Sequence, residues 1–250
     1  MILQSLKILT STPAIPGFSL REEFLPDYGN MSFDLGDRQS VLANRGTFLQ
    51  QIGLDPIHLT LVHQEHGTTI HRVRFEQRGR GALSLEGVRP SDGLMTDEPG
   101  VPLGILAADC CCLLMADVGG RAVGAFHAGW RGTHAGMAQK AVETFRTDFD
   151  VPPSDLRVWI SPCISAKNYE VGQEVWEKFE KDWGKDCLLE DPLRVDLPGL
   201  NRQQLVEAGI DQDAIEMPNV CTMESERFFS HRRGDEPKGR MLGVIALPLG

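Results

Sequence analysis

Apolar and polar positions along the 250-residue chain fall into short segments of different period. Residues 2–9 alternate in part and predict an edge strand. After a Pro/Gly-rich passage at 12–17, residues 40–53 follow helical spacing. Ser40 is placed to cap this helix, Val41, Phe48 and Ile52 share a face, and Gly53 marks the stop. Residues 58–67 predict a strand running into a loop, and 68–74 resume extended character. The polar, glycine-containing stretch 76–90 is expected to be a mobile insertion. The longest apolar run, 101–116, lacks alternation and predicts one strand buried on both faces.

A Gly119-Gly120 turn leads into a neighbouring strand over 121–128. The tight loop 129–132 then opens a helix at Thr133 or His134, with Met137, Ala138, Ala141, Val142 and Phe145 as its inward stripe. Beyond the Pro152-Pro153 break, 156–160 reads as a strand and 169–183 as a helix. Residues 196–209 read as a second, glycine-closed helix, and 241–247 as a terminal strand. Strands and helices intersperse without a strict βαβ rhythm, which gives an α+β fold with mixed sheets.

Composition narrows the function. Thirty-five acidic against 25 basic residues give a net charge of −10, so nucleic-acid backbones have no broad electrostatic reason to bind. No run reaches the roughly 18–20 apolar residues of a membrane span, and the first residues lack a secretory pattern. The expectation is a cytoplasmic protein with no membrane or nucleic-acid partner. Six cysteines do not form an evident disulfide set: Cys110, Cys111 and Cys112 are consecutive, and strand neighbours point to opposite faces. In a reducing compartment such cysteines are free thiols, buried hydrophobes or metal ligands.

Three reactive or metal-competent side chains fall at ends of expected strands: His66 before Gly67, Cys110 after Asp109, and His127 before Ala-Gly-Trp-Arg-Gly. Imidazole and thiolate are ligands that Zn²⁺ prefers, and three of them leave a position for water or substrate. The spacing matches no short zinc motif, so pattern alone favours a packed cysteine with two hydrogen-bonded histidines over a metal site at this point. Strand parity sends Cys111 away from Cys110 and Cys112 and assigns Cys111 and Cys112 to the core. His63 has the parity opposite to His66. Arg45 and Arg131 are the cationic candidates, Arg131 because Trp130-Arg-Gly stands at a helix start. Asp92 and Asp109 either orient ligands or shape turns.

These residues, in this order, resemble a known family. His66-Gly67, Ala108-Asp109-Cys110, His127 to Gly132, Pro162-Cys163-Ile164 with Tyr169 to Gly172, Asp196-Leu197 with Asn201-Arg202, Cys221-Thr222, Phe228 to Arg233 and Gly239-Arg240 are similar to the laccase-domain family. That family is also called multicopper polyphenol oxidases or peptidoglycan editing factors, and its members act as purine nucleoside phosphorylases. The likeness runs from about Asn30 to the C-terminus. It implies a single domain over the whole chain, with β-sheets packed together and flanked by helices. It implies a metal site of His66, Cys110 and His127, usually zinc, with copper able to take the same N,N,S set. It also implies phosphorolysis of adenosine, inosine and methylthioadenosine, with adenosine deamination as a side activity. Asn44-Arg45 matches a family motif near the substrate. Gln64-Glu-His-Gly67 and Ser161-Pro-Cys163 depart from the usual Gln-Val-His-Gly and Gly-Pro-Cys, which bears on substrate preference more than on the ligands.

The reading that follows is a metal-assisted phosphorylase taking a nucleoside and phosphate, with Cys110 as ligand and Arg45 and Arg131 on the anion. Two rivals use the same residues: a thiol amidase or hydrolase with Cys110 as nucleophile, and a non-enzymatic metal-stabilised binding module. A copper-dependent polyphenol oxidase built on several coppers needs about ten histidines as His-x-His pairs, in the pattern of the true multicopper oxidases. This chain has seven histidines and no such pair.

Overall fold

In the computed structural model, which describes residues 2–3 and 6–249, the apolar pattern builds four stacked layers. In chain order the elements are α1 (Lys7–Thr10), β1 (Ile15–Phe18), α2 (Arg38–Gln51), β2 (Ile70–Arg72), β3 (Gly93–Thr96), β4 (Leu103–Ala107), β5 (Cys111–Asp117) and β6 (Val123–Ala128). There follow α3 (Trp130–His134), α4 (Met137–Phe149), β7 (Leu156–Ile160), α5 (Gln173–Trp183), β8 (Leu188–Leu189), β9 (Arg194–Val195), α6 (Leu197–Glu207), β10 (Ile215–Glu216) and β11 (Met241–Ala246).

A mixed six-stranded sheet has the order β10-β7-β5-β6-β3-β2, and an antiparallel three-stranded sheet has the order β1-β11-β4. The period of two in the strands sorts their side chains between cores. In β5, Cys111, Leu113 and Met115 face α4, α5 and α6, while Cys112, Leu114 and Ala116 face the three-stranded sheet. In β11, Met241 and Ile245 meet the six-stranded sheet, while Leu242, Val244 and Ala246 pack under Phe48 and Leu49 of α2. The layers therefore run helix, sheet, sheet, helices. The fold is α+β, as the pattern indicated.

Several local expectations change. The run 101–116 is two strands in two different sheets, because Asp109 takes a left-handed conformation (φ 79°) and breaks the extended backbone. β5 alone is buried along its whole length. Residues 58–67 are not a strand. A 3₁₀ turn at Pro56–His58 and isolated bridges at Thr60 and His63 tie this segment to neighbours. The stretch expected as an insertion is stitched to it, Leu61 N donating to Arg80 O and His63 N to Arg89 O. Asp37, not Ser40, caps α2, its carboxylate accepting from Ser40 N at 2.9 Å. The second helical passage splits at Ala135-Gly136 into α3 and α4, and the stripe of five named residues on α4 is buried. The helix expected over 169–183 begins only at Gln173. Of the expected edge strand at 2–9, Gln4 and Ser5 lie outside the described residues, Ile2 only bridges Ser19, and α1 occupies the rest.

The two sheets approach closely at Gly243, where a Cβ would stand 2.5 Å from Cys112 Sγ and 3.4 Å from Phe18. Gly243→Val should therefore destabilise the protein by about 1–3 kcal/mol through overpacking. Denaturant unfolding checks this. Cys112→Ala on the same background should recover part of the loss by vacating the space.

Candidate metal centre

The break at Asp109 carries the chain from one sheet to the other, and the mouth between the sheets at that end is a cleft of about 550 Å³. Cys110 stands immediately before β5, and His127 lies on β6, where it pairs with Cys112. His66 comes from the loop before β2, itself in a left-handed conformation (φ 61°). The two imidazoles and the thiol offer ligand atoms that all lie within 4.8 Å of one another. The His66 and His127 rings meet edge to face at 4.8 Å.

Gly129 is the floor on which the three converge. A Cβ there would lie 2.9 Å from His66 Cδ2, 3.0 Å from Cys110 Sγ and 3.6 Å from His127 Cε1. Only glycine lets the backbone come this near, which explains the glycine after His127-Ala128. The sequence reading noted the motif but not this role.

Asp92 sets the orientation. Buried at 1% exposure, its carboxylate accepts from Glu65 N (3.2 Å), His66 N (2.9 Å) and Gly67 N (2.6 Å). The same carboxylate lies 2.8 Å from His127 Nδ1. An ionised acceptor so placed keeps the His127 proton on Nδ1 and leaves Nε2 free as a donor atom for a metal. Burial opposes ionisation of Asp92, yet the His127 ring and the backbone N–H groups hold its carboxyl below the usual range. One acid thus fixes the loop carrying His66 and the ring of His127.

Burial would push the Cys110 thiol up, but the His127 and His66 rings beside it outweigh burial and bring it down to about 6. The same contacts favour the charged form of His127, whose pKa rises to about 9 against the effect of burial. Cys112, buried with no such neighbours, is pushed up. A thiolate flanked by two imidazoles is a soft N,N,S donor set, which suits zinc or copper. This is the single group of three or more converging ligand side chains among the described residues. All six cysteines are free.

Asp109 serves the same site from the other side. Its Oδ1 accepts from Thr222 Oγ1 (2.6 Å), its Oδ2 from Arg232 N (2.7 Å), and its carbonyl from Ile164 N (2.9 Å). Both aspartates that the sequence left between two roles therefore hold ligand-bearing backbone in place.

Of the two candidate arginines, Arg131 lines the cleft. It is exposed at the rim, its guanidinium 4.4 Å from the centre of the Trp130 ring. Arg45 does not reach the cleft, and the expectation that it touches an anion is corrected. It is 2% exposed, with Nε and Nη2 donating to Met31 O (2.9 and 2.6 Å) and Nη1 to Gly81 O and Ala82 O (3.0 and 3.1 Å). Arg45 belongs to the buried face of α2, so its charge is consumed by carbonyls behind the cleft wall. Arg232, Arg240, His63, His231 and Tyr169 line the cleft as well. Tyr169, His231, Arg232 and Arg240 carried no signal beyond their place in the family motifs, and strand parity had set His63 apart from His66. His58, His71 and His134 do not line it.

An α+β protein of two stacked sheets with an N,N,S cluster at their mouth can be compared with known families. The family model described as multi-copper polyphenol oxidoreductase laccase matches residues 17–248, and the chain belongs to that family. Among its relatives, purine nucleoside phosphorylase YlmD of Geobacillus stearothermophilus is 35% identical over 86% of this chain and 82% of that protein. A purine nucleoside phosphorylase of Haemophilus influenzae is 34% identical over 86% of each. The crystal structure of YlmD from Geobacillus stearothermophilus superposes with a TM-score of 0.88 at 32% identity, covering 95% of this chain and 93% of that one.

His66→Ala, Cys110→Ala and His127→Ala should each lose bound divalent metal, whereas Cys111→Ala, facing α4, should keep it. Metal analysis of the purified variants decides; full occupancy in any of the first three removes that residue from the ligand set. Asp92→Asn should fold but weaken metal affinity roughly ten- to a hundred-fold, read by chelator competition. In metal-stripped protein Cys110 should react with iodoacetamide with a midpoint near pH 6. A midpoint above pH 8 would show that the imidazoles do not stabilise the thiolate.

Proposed function

We propose that this chain is a metal-dependent purine nucleoside phosphorylase, acting on adenosine, inosine and methylthioadenosine with adenosine deamination as a side activity. The observation that carries the reading is the joint location of the His66, Cys110 and His127 cluster and three arginines, Arg131, Arg232 and Arg240, in one cleft. In a chain of net charge −10, positive charge gathered beside a metal-competent cluster favours an anionic co-substrate. The relatives' names add a purine nucleoside to phosphate.

The residues divide the work. The Trp130 and Tyr169 rings present flat apolar surface to a base, a common way of holding purines. Burial pushes the Tyr169 hydroxyl up to about 12, so it stays protonated as a hydrogen-bond donor at neutral pH. The guanidiniums draw phosphate towards the sugar and stabilise charge as the glycosidic bond breaks. With a metal in place of its Nε2 proton, His127 would keep the Nδ1 proton directed at Asp92, and with Cys110 anionic both would offer electron pairs to the ion. His66, Cys110 and His127 would hold a zinc or copper ion, whose chemistry there would be Lewis acidity toward a bound polar group. No helix among the described residues is long and apolar enough to cross a membrane.

The experiment is base release from inosine by metal-loaded enzyme with and without inorganic phosphate. Release that needs phosphate and yields ribose 1-phosphate is the expected result. Equal release without phosphate would mean hydrolysis. Ammonia release from adenosine tests the side activity. Metal-free activity blocked by alkylation of Cys110 would replace the proposal with the thiol-hydrolase reading.

A further inference from the structure

The three cleft arginines are not equivalent. Arg131 and Arg232 are exposed, each laid against an aromatic ring, Trp130 at 4.4 Å and Tyr169 at 5.1 Å. Arg232 also donates from Nη1 to Glu170 O at 2.9 Å. Arg240 is half-buried, in the same cleft as the metal-competent cluster. Its side chain donates from Nη1 to the adjacent Gly239 O, at 2.9 Å. Elsewhere partly screened guanidiniums are taken up either by carboxylates, as Arg72 on Asp97 and Arg233 on Asp235, or by two or more carbonyls, as Arg45, Arg157 and Arg194. Among the described residues Arg240 forms no such ion pair. Burial works against its charge, and only the more distant Cys110, Asp109 and Asp34 support it. A partly desolvated guanidinium with donors left open toward the cleft is set up for an oxyanion.

Its backbone is held unusually firmly for a loop residue. Arg240 N donates to Asn30 Oδ1 (3.0 Å), and Met31 N donates to Arg240 O (3.1 Å). Segment 30–32 is in turn gripped from behind by α2, where Asn44 Nδ2 donates to Asn30 O (3.1 Å) and Arg45 donates twice to Met31 O. A continuous set of hydrogen bonds thus joins the Asn44-Arg45 pair to Arg240, with neither side chain of that pair entering the cleft.

We propose that Arg240 is the anchor for inorganic phosphate in the cleft, and that Asn44 and Arg45 are its positioning residues, acting through segment 30–32. The inference rests on the phosphorylase reading for the identity of the anion. It gives the Asn44-Arg45 motif a role near substrate without contact.

The test combines calorimetric binding of inorganic phosphate to the metal-loaded protein with phosphate KM at saturating inosine. Losing a hydrogen bond to a charged group weakens an equilibrium roughly ten- to a hundred-fold, and Arg240→Gln should weaken phosphate binding by that factor. Arg240→Lys should recover part of the loss, since it keeps the charge but not the fork. The KM for inosine should move less than phosphate KM in both. Arg131→Gln should weaken phosphate less than Arg240→Gln. Unchanged phosphate affinity in Arg240→Gln, with wild-type metal content and melting temperature, overturns the anchor.

For the positioning role, Arg45→Lys should weaken phosphate in wild-type protein but add nothing on the Arg240→Gln background. Asn44→Ala serves the same comparison should Arg45→Lys not fold. Additive losses overturn positioning through Arg240. The two readings fail separately. Phosphate-independent cleavage of inosine with phosphate binding still lost in Arg240→Gln ends the phosphorylase reading and keeps the anchor. Phosphorolysis with an unaltered phosphate KM in that variant does the reverse.

Discussion

The site depends on a single residue in an uncommon backbone conformation. At Asp109 the chain leaves the three-stranded sheet and enters the six-stranded one, with φ at 79°. A left-handed non-glycine residue costs about 1–2 kcal/mol, and the surroundings over-determine it. Its carboxylate is taken by Thr222 and by the Arg232 backbone, and its carbonyl by Ile164. Three distant segments thereby meet at one turn. Without that turn, β4 and β5 would continue as one strand, Cys110 would not be presented to the cleft, and the sheets would have no open mouth there.

Two buried carboxylates organise the surroundings on the same physical basis. Asp92 and Asp109 each accept several hydrogen bonds, which is what makes a buried charge tolerable. Asp92 binds the backbone of the His66 loop and the ring of His127. Asp109 binds the loops that follow Cys221 and precede Arg233. The charges of these two acids are thus taken up by hydrogen bonds, and Arg131, Arg232 and Arg240 face the cleft alongside the exposed Asp34. An acidic protein acquires a locally basic mouth by this partition, not by its composition.

Much of the fold was legible where periodicity was strong. The α4 stripe, β7, α6 with its glycine stop, and β11 follow from the pattern, because each helix turns one apolar face to a core and each strand is a short, largely apolar segment buried on both faces. The run across Ala108-Asp109-Cys110 was misread as one strand, since both halves are apolar and the break is made by a tertiary contact with Thr222. Residues 58–67 misled for a related reason: their apolar positions fill a core from irregular backbone, which has no period to read. The convergence of His66, Cys110 and His127 was legible through the family motifs around them, since their spacing alone favoured a packed cysteine and two hydrogen-bonded histidines. Arg45 was not. A motif places it near substrate, but only the carbonyls of Met31, Gly81 and Ala82 show that it braces the wall. Beyond its place in the Gly239-Arg240 motif nothing local marked Arg240, whose significance lies in facing the cleft half-buried with a side-chain bond only to the adjacent Gly239 carbonyl.

The three donors of the cluster are not held alike. Cys110 and His127 lie beside paired positions of one ladder, Cys111 with Ala128 and Cys112 with His127, so the span between them is a property of the sheet. His66 stands on a loop fastened by a single carboxylate. Two jaws of the clamp are therefore fixed and the third is sprung. Discrimination between ions that differ in radius or preferred shape would then reside in residues 65–67, and changes there would retune which ion is taken up without disturbing either sheet.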